Sequence, residues 1–299
     1  MSRAAESVPA GYPMQFGVHL FTFLTTIDAR TADVLPRVAE LGLDGCEVPL
    51  LAEQIDGVDA RSLRRRLDSL GLFCIAGSGI PERLSTVGDD LAARRQGAAF
   101  LRRCVDVSAE MGAGLLTGAL YAPFGMKSAA GGRTTEQRKR SVESLQELCE
   151  YALSTGVTIG LEPLNRYEHF FVNTAAEAVA LVREVGAENL KVHLDTYHMG
   201  IEEKSFHRAV LAARGVLGHV HAAENDRGIP GTGHLDWDGL FRGLSEIGYD
   251  GRIVIETFFE TVPDIADFSR VWRPLSPDPD TFCRESVAFL KQKAAQYGL

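Results

Sequence analysis

Short apolar runs rich in β-branched residues alternate along this chain with longer segments whose apolar positions recur every three to four residues. The alternation repeats eight times. It predicts strands over Gln15–Phe21, Leu43–Val48, Leu72–Gly77, Gly114–Gly118, Val157–Glu162, Leu190–Asp195, Leu217–His221 and Arg252–Glu256. The intervening helices are expected over Thr31–Leu41, Asp59–Ser69, Leu91–Met111, Thr135–Ser154, Thr174–Val185, Lys204–Arg214, Trp237–Ile247 and Thr281–Ala295. Strands that alternate with helices are joined by right-handed crossovers into a parallel sheet. Eight such units, with short glycine-punctuated connections, suit a single closed (β/α)8 TIM barrel over residues 14–299, preceded by a flexible tail over residues 1–13. An open doubly wound sheet would want a Gly-x-Gly-x-x-Gly turn after the first strand, and none is there.

Two connections are long, Tyr121–Arg133 and Thr257–Asp280, and both follow strand C-termini, the barrel face on which chemistry is built. Ser7–Ile27 carries no charge, but its apolar part, Met14–Leu24, is too short to cross a bilayer. The formal charge of −9 opposes capture of polyanions, so neither a nucleic acid nor a membrane is expected as partner. Cys46, Cys74, Cys104, Cys149 and Cys283 are odd in number and contain no Cys-x-x-Cys, which reads as reduced thiols in a cytoplasmic protein.

The chemistry concentrates at the ends of the last four strands. TIGLE, KVHLD, GHVH and RIVIE close on Glu162, Asp195, His221 and Glu256, one β–α unit apart. Residues in phase on successive barrel strands converge above the mouth. Three carboxylates would repel one another there unless a cation neutralised them. An oxygen-rich set with one imidazole suits Mn2+, Co2+ or Mg2+. Around these residues lie Asn165, Arg166 and Glu168 after strand five, His198 after strand six and Arg227 after strand seven. Singly, Arg166, Glu168 and Arg227 read equally well as surface charges. His193 and His219 read as structural, Pro230–His234 as a tight turn, and Glu202 and Glu203 as acidic groups opening the sixth helix.

At these positions the chain resembles the ketose 3-epimerases, the D-tagatose and D-allulose (psicose) 3-epimerase group of xylose-isomerase-like barrels. GLEPLNRYEHFFVNTAAEA, KVHLDTYHMGIEEKSF, HVHAAENDRGIPGTGHLDWDGLF and IGYDGRIVIETF carry the resemblance, which continues in GALYAPFG and DIADFSRVWRPLS. It implies one divalent metal, usually Mn2+ or Co2+, on Glu162, Asp195, His221 and Glu256. It also implies a substrate grip by Glu168, His198 and Arg227. Epimerisation beside a ketone needs a base, an acid on the opposite face and an electrophile. Glu162 and Glu256 are assigned as the acid/base pair around a metal-stabilised enediolate. ETFFETVPD and GVHLFTF, with His19, depart from the better-known members, so the ketose is left open. Phe258, Tyr121 and the Trp272 loop are expected to form the apolar wall at carbons 4 to 6. A homodimer or homotetramer acting on a small free ketose is the expected form. The competing readings are a hydroxypyruvate- or inosose-type barrel enzyme, an endonuclease IV-type phosphodiesterase and a non-enzymatic sugar-binding barrel. The phosphodiesterase wants further histidines that strands two to four do not have.

Overall fold

The computed structural model describes residues 14–28, 30–128, 131–259 and 269–299. The tail expected over residues 1–13 and parts of both long loops lie outside them. Eight parallel strands close in sequential order into a barrel: β1 Gln15–His19, β2 Gly45–Pro49, β3 Phe73–Gly77, β4 Leu115–Gly118, β5 Thr158–Leu161, β6 Leu190–Asp195, β7 Leu217–Ala222 and β8 Arg252–Ile255. The ring shuts where β1 pairs with β8, Gln15 beside Arg252 and Val18 beside Ile255. The described helices are α1 Thr31–Glu40, α2 Ala60–Leu70, α3 Leu91–Met111, α4 Thr135–Leu153, α5 Ala175–Val185, α6 Thr196–Glu202, α7 Phe206–Ala212, α8 Trp237–Ile247 and α9 Pro279–Tyr297. The expected (β/α)8 architecture is the one observed. None of these helices is long and apolar enough to cross a membrane.

Local chemistry sets the element ends. Thr134 and Gln137 form a capping box at the start of α4, and Thr174 and Glu177 do the same for α5. Helix α3 stops at Gly112, whose φ of 76° lies where a side chain is disfavoured. Every residue of β2 and β3 is buried, as strands covered on both faces require. Leu35, Leu67, Leu101, Leu145, Leu240 and Leu290 seal the helices onto the sheet. Each such side chain contributes about 1.5–3 kcal/mol by leaving water. All five cysteines are free and buried, and burial pushes the Cys74, Cys104, Cys149 and Cys283 thiols up to about 12.

Two local expectations change. Strand β1 ends at His19 because the His19 ring nitrogen Nδ1 accepts the Phe21 amide, 3.3 Å away, turning Leu20–Thr22 into a short 3-10 turn. After β6 an additional helix, α6, starts on Asp195 as its cap. Glu202 and Glu203 therefore close α6 and do not open the next helix, which begins after Ser205. Their carboxylates do other work. Glu202 accepts the Arg166 amide at 2.7 Å and pairs with its guanidinium at the same distance, while Glu203 accepts the Ala175 amide that opens α5, at 2.8 Å.

Candidate active site

The barrel register delivers the site residues in pairs. Asp195 sits beside His221 across the β6–β7 ladder, and His193 beside His219 one layer below. Glu162 and Glu256 follow the last residues of β5 and β8. The side chains that the strand ends offered thus meet at the C-terminal mouth. Glu162, Asp195 and His221 present ligand-type atoms all within 4.8 Å of one another. His221 Nδ1 lies 3.7 Å from Asp195 Oδ2, 4.0 Å from Glu162 Oε1 and 3.6 Å from Glu256 Oε1. Glu256 turns its other oxygen to Arg227, whose Nη1 donates to Oε2 at 2.6 Å.

Asp195 divides its two oxygens. Oδ1 accepts the amides of Tyr197 at 2.6 Å and His198 at 3.3 Å, capping α6. Oδ2 and His221 Nδ1 are buried without a hydrogen-bond partner. An unpartnered buried carboxylate oxygen facing an unpartnered imidazole nitrogen is costly unless something binds both. This donor set, oxygen-rich with one imidazole, is what a divalent cation takes up. The residues present therefore fit such an ion.

The electrostatics agree with that fit. Burial raises the Glu162 carboxyl well above its ordinary range, and the nearby Asp195 and Glu256 charges push the same way against the pull of His221. Burial would also raise Asp195, but His198, His221 and Arg227 outweigh it and hold the carboxyl low. His221 is desolvated, yet Glu47, Glu256 and Asp195 together raise it well above its usual value. A divalent cation bound there would take the place of the proton that these carboxylates favour on His221.

A second ring of residues faces the same cavity. His198 Nδ1 accepts the Asn165 amide at 3.1 Å, which turns Nε2 toward Glu162 Oε1, 3.8 Å away. Asn165 Nδ2 donates to Glu168 Oε1 at 2.9 Å, and Arg227 Nη2 reaches the same oxygen at 3.5 Å. Burial opposes ionisation of Glu168, but His198, Arg227 and the Asn165 bond outweigh it and lower its carboxyl. Arg227 is 4% exposed, has a φ of 66°, and lies over the Tyr197 and Phe258 rings at 4.0 and 4.8 Å. A non-glycine residue in that region stores about 1–3 kcal/mol of strain and persists only when its surroundings hold it. The holding groups are the Glu224 carbonyl, accepting the Arg227 amide at 2.9 Å, and the Thr257 hydroxyl, donating to the Arg227 carbonyl at 2.7 Å. So Glu168 and Arg227 face inward, whereas Arg166 is a surface strut to Glu202.

The cavity, about 130 Å3, is walled by Phe21, Pro49, Leu51, Phe124, Leu164 and Phe258, with His19 and Glu47 also at its lining. Of the expected apolar wall, Phe258 is in place. Tyr121 is instead buried behind the pocket, stacked on Phe171 with its hydroxyl on the Val172 carbonyl, and Trp272 is 63% exposed. A wider depression of about 690 Å3 lies at the opposite, N-terminal end of the barrel among Gln15, Leu115, Thr158 and Arg252, away from the converging carboxylates.

Glu47 is the site residue that the strand reading passed over. Its Oε2 accepts from His221 Nε2 at 2.9 Å and from His219 Nε2 at 3.1 Å. The signal was there, a glutamate in the middle of the otherwise uncharged strand GCEVP. His193 and His219 are buried in the barrel, with His193 Nδ1 2.9 Å from the Thr117 hydroxyl. His193 Nε2 and His219 Nδ1 have no hydrogen-bond partner, and with His221 the two rings form a second group of ligand-type atoms within 4.8 Å of one another.

The turn at Pro230–His234 is also observed, and Glu224 organises it. Its two oxygens accept four donors: the amides of Asn225, Gly231 and Leu235 and the Trp237 indole, at 2.8–3.1 Å. Burial alone would raise this carboxyl, but the bonds from Trp237 and the three amides lower it. Stability from a lowered carboxyl is complete above the unfolded-state value and is lost as pH falls through the folded one. Glu224→Gln is expected to cost about 2–3 kcal/mol at neutral pH, and the deficit should shrink below the ordinary glutamate range. Chemical unfolding of both proteins across that range checks it; a deficit that does not change with pH would remove the charge from the account.

The family model of xylose isomerase-like TIM barrels matches residues 35–293. A D-psicose 3-epimerase of Agrobacterium fabrum is 32% identical over 268 residues, 89% of this chain and 93% of its own. An L-ribulose 3-epimerase of Methylomonas sp. is 34% identical, over 94% of this chain and 98% of its own. The chain belongs to the ketose 3-epimerase family. A crystal structure of a D-allulose 3-epimerase from Methylomonas sp. superposes with a TM-score of 0.88 at 33% identity, covering 94% of this chain and 98% of that one. As a ketose 3-epimerase the chain is an enzyme of the isomerase class, and the group of residues at its barrel mouth can hold a metal ion.

Proposed function

We propose that this chain epimerises unphosphorylated ketoses at C3, with a divalent cation, Mn2+ or Co2+, on Glu162, Asp195, His221 and Glu256. The observation that carries the reading is the pair of unpartnered buried atoms, Asp195 Oδ2 and His221 Nδ1, meeting between two glutamates. When bound, the cation would draw electron density from the ketone oxygen and so make the C3 proton acidic. One of Glu162 and Glu256 takes that proton and the other delivers a proton of its own, exchangeable with solvent, to the opposite face, the two roles swapping with direction. Glu168, His198 and Arg227 grip the oxygens of carbons 1 to 3 and fix the angle at which the proton meets its base. Arg227 also orients Glu256 through the 2.6 Å bond to Oε2.

Carbons 4 to 6 face the largely apolar wall of Phe21, Leu51, Phe124 and Phe258. Such walls reject a mismatched group by only ~1–3 kcal/mol, so several ketohexoses and ketopentoses should be turned over. Two of the cations in the long loops are engaged elsewhere. Arg133 donates to the Phe171 carbonyl at 2.6 Å and Arg273 to Asp226 at 3.0 Å. The Mn2+-loaded enzyme should therefore show a higher kcat/KM for a free ketose than for its terminal phosphate. A tenfold or greater preference for the phosphate would overturn the choice of substrate class and point to Lys127, Arg133 or Arg273 as its anchor.

A further inference from the structure

Glu47 stands at the centre of β2, 2% exposed, and points into the barrel beneath the proposed metal ligands. A carboxylate so placed is retained only when its surroundings supply hydrogen bonds. Both come to one oxygen, from alternate residues of β7. His219 Nε2 and His221 Nε2 donate to Oε2, at 3.1 and 2.9 Å, while Oε1 lies 3.9 Å from His19 Nε2. The neighbouring strand makes room for the group. Gly77 has no side chain, and a Cβ there would collide with Glu47 Oε1. The strands involved are far apart in sequence, yet the barrel brings β2 across to β7.

The consequence falls on His221. A neutral imidazole that donates from Nε2 presents the lone pair of Nδ1, the form a cation selects by displacing the Nδ1 proton. Nδ1 is the atom that lies 3.6–4.0 Å from Glu256, Asp195 and Glu162 and has no hydrogen-bond partner of its own. We infer that Glu47 is a positioning residue: its carboxylate holds the His221 ring in the orientation that offers Nδ1 to the cation, with His219 as the second donor that keeps the carboxylate itself in place. The inference rests on the metal set proposed above. A carboxylate behind a ligating imidazole makes the ring a stronger donor as well as a better aimed one. Glu47 itself does not touch the substrate in this scheme.

The test is Mn2+ binding by the metal-free full-length protein, followed by calorimetry, with the visible spectrum of the Co2+ form as a second readout. Glu47→Gln keeps the shape but is neutral: its carbonyl oxygen can take the place of Oε2 and accept from both rings, only without the charge, while its NH2 group replaces the oxygen that faces His19. Mn2+ affinity should fall about 10–100-fold, and the Co2+ bands should shift as the His221 donor weakens. Circular dichroism establishes that the variant is folded. Should Glu47→Gln not fold, Glu47→Asp, which keeps the charge but shortens the reach, is measured in its place and should also bind Mn2+ more weakly. Unchanged affinity and unchanged Co2+ bands in the folded variant, with or without a lower unfolding temperature of the metal-free protein, would overturn the positioning role and leave the metal set standing. Failure of the wild-type protein to bind Mn2+ or Co2+ would instead overturn the metal set, and the role of Glu47 with it.

Discussion

Asp195→Asn is expected to abolish both metal loading and turnover while leaving the barrel folded. The substitution separates the two jobs of this side chain. Asn caps helices as well as Asp does, so the bonds from the Tyr197 and His198 amides that start α6 survive. The free oxygen does not survive as a ligand. The atom facing His221 becomes an uncharged amide group, and the cluster loses one of the charges that a cation would neutralise. Removing a group that only supports a ligand costs about 10–100-fold in metal affinity, so losing the ligand itself should cost more than ~100-fold. The metal-free protein should unfold at a somewhat lower midpoint yet remain folded. His198, His221 and Arg227 hold the Asp195 carboxyl low, so its charge stabilises the fold at neutral pH, and relief of the repulsion on Glu162 offsets only part of that loss. Metal content by elemental analysis after gel filtration checks this. Full occupancy in the variant would break the four-residue assignment.

Glu162→Gln and Glu256→Gln should each lower kcat by about 10²–10⁴, the range for loss of a general acid or base. Their exchange behaviour should differ. With one carboxylate on each face, either variant keeps a single base. Each should then exchange the C3 hydrogen of one epimer with solvent while failing to interconvert the two, and the two variants should act on opposite epimers. Measured at saturating Mn2+, by the loss of the C3 proton signal in D2O, this distinguishes a two-base site from one glutamate swinging between faces. If both variants exchange the same epimer, the opposite-face assignment fails.

The barrel and its mouth were legible in the sequence because barrel strands end where chemistry begins. Each of the four late strands is an apolar run closed by one residue with a ligand-type side chain, and period alone places such residues on one rim. Glu162, Asp195, His221 and Glu256 follow from that pattern. Glu47 does not, because its meaning lies in a contact with β7 across the barrel, 174 residues away from His221. Short elements were hidden for a different reason. Helix α6 has 7 residues, too few for helical spacing to show, and it begins on a residue already read as a ligand. Sequence spacing therefore assigns Glu202 and Glu203 to the following helix, whereas they close α6. Tyr121 illustrates the third kind of loss. An aromatic just past a strand end can wall a pocket or back it, and only packing against Phe171 and His169 decides for the second.

The central claim is proton transfer at C3 of a free ketose, and one measurement reads it directly. The Mn2+-loaded protein is incubated with D-fructose in D2O, and the sugars are separated and examined by nuclear magnetic resonance. The account requires the C3 epimer to form carrying deuterium at C3, with carbons 1 and 4 unlabelled, and to stop forming when the metal is chelated. Deuterium at C1 or C4, or an epimer free of deuterium at C3 after prolonged equilibration, would contradict it.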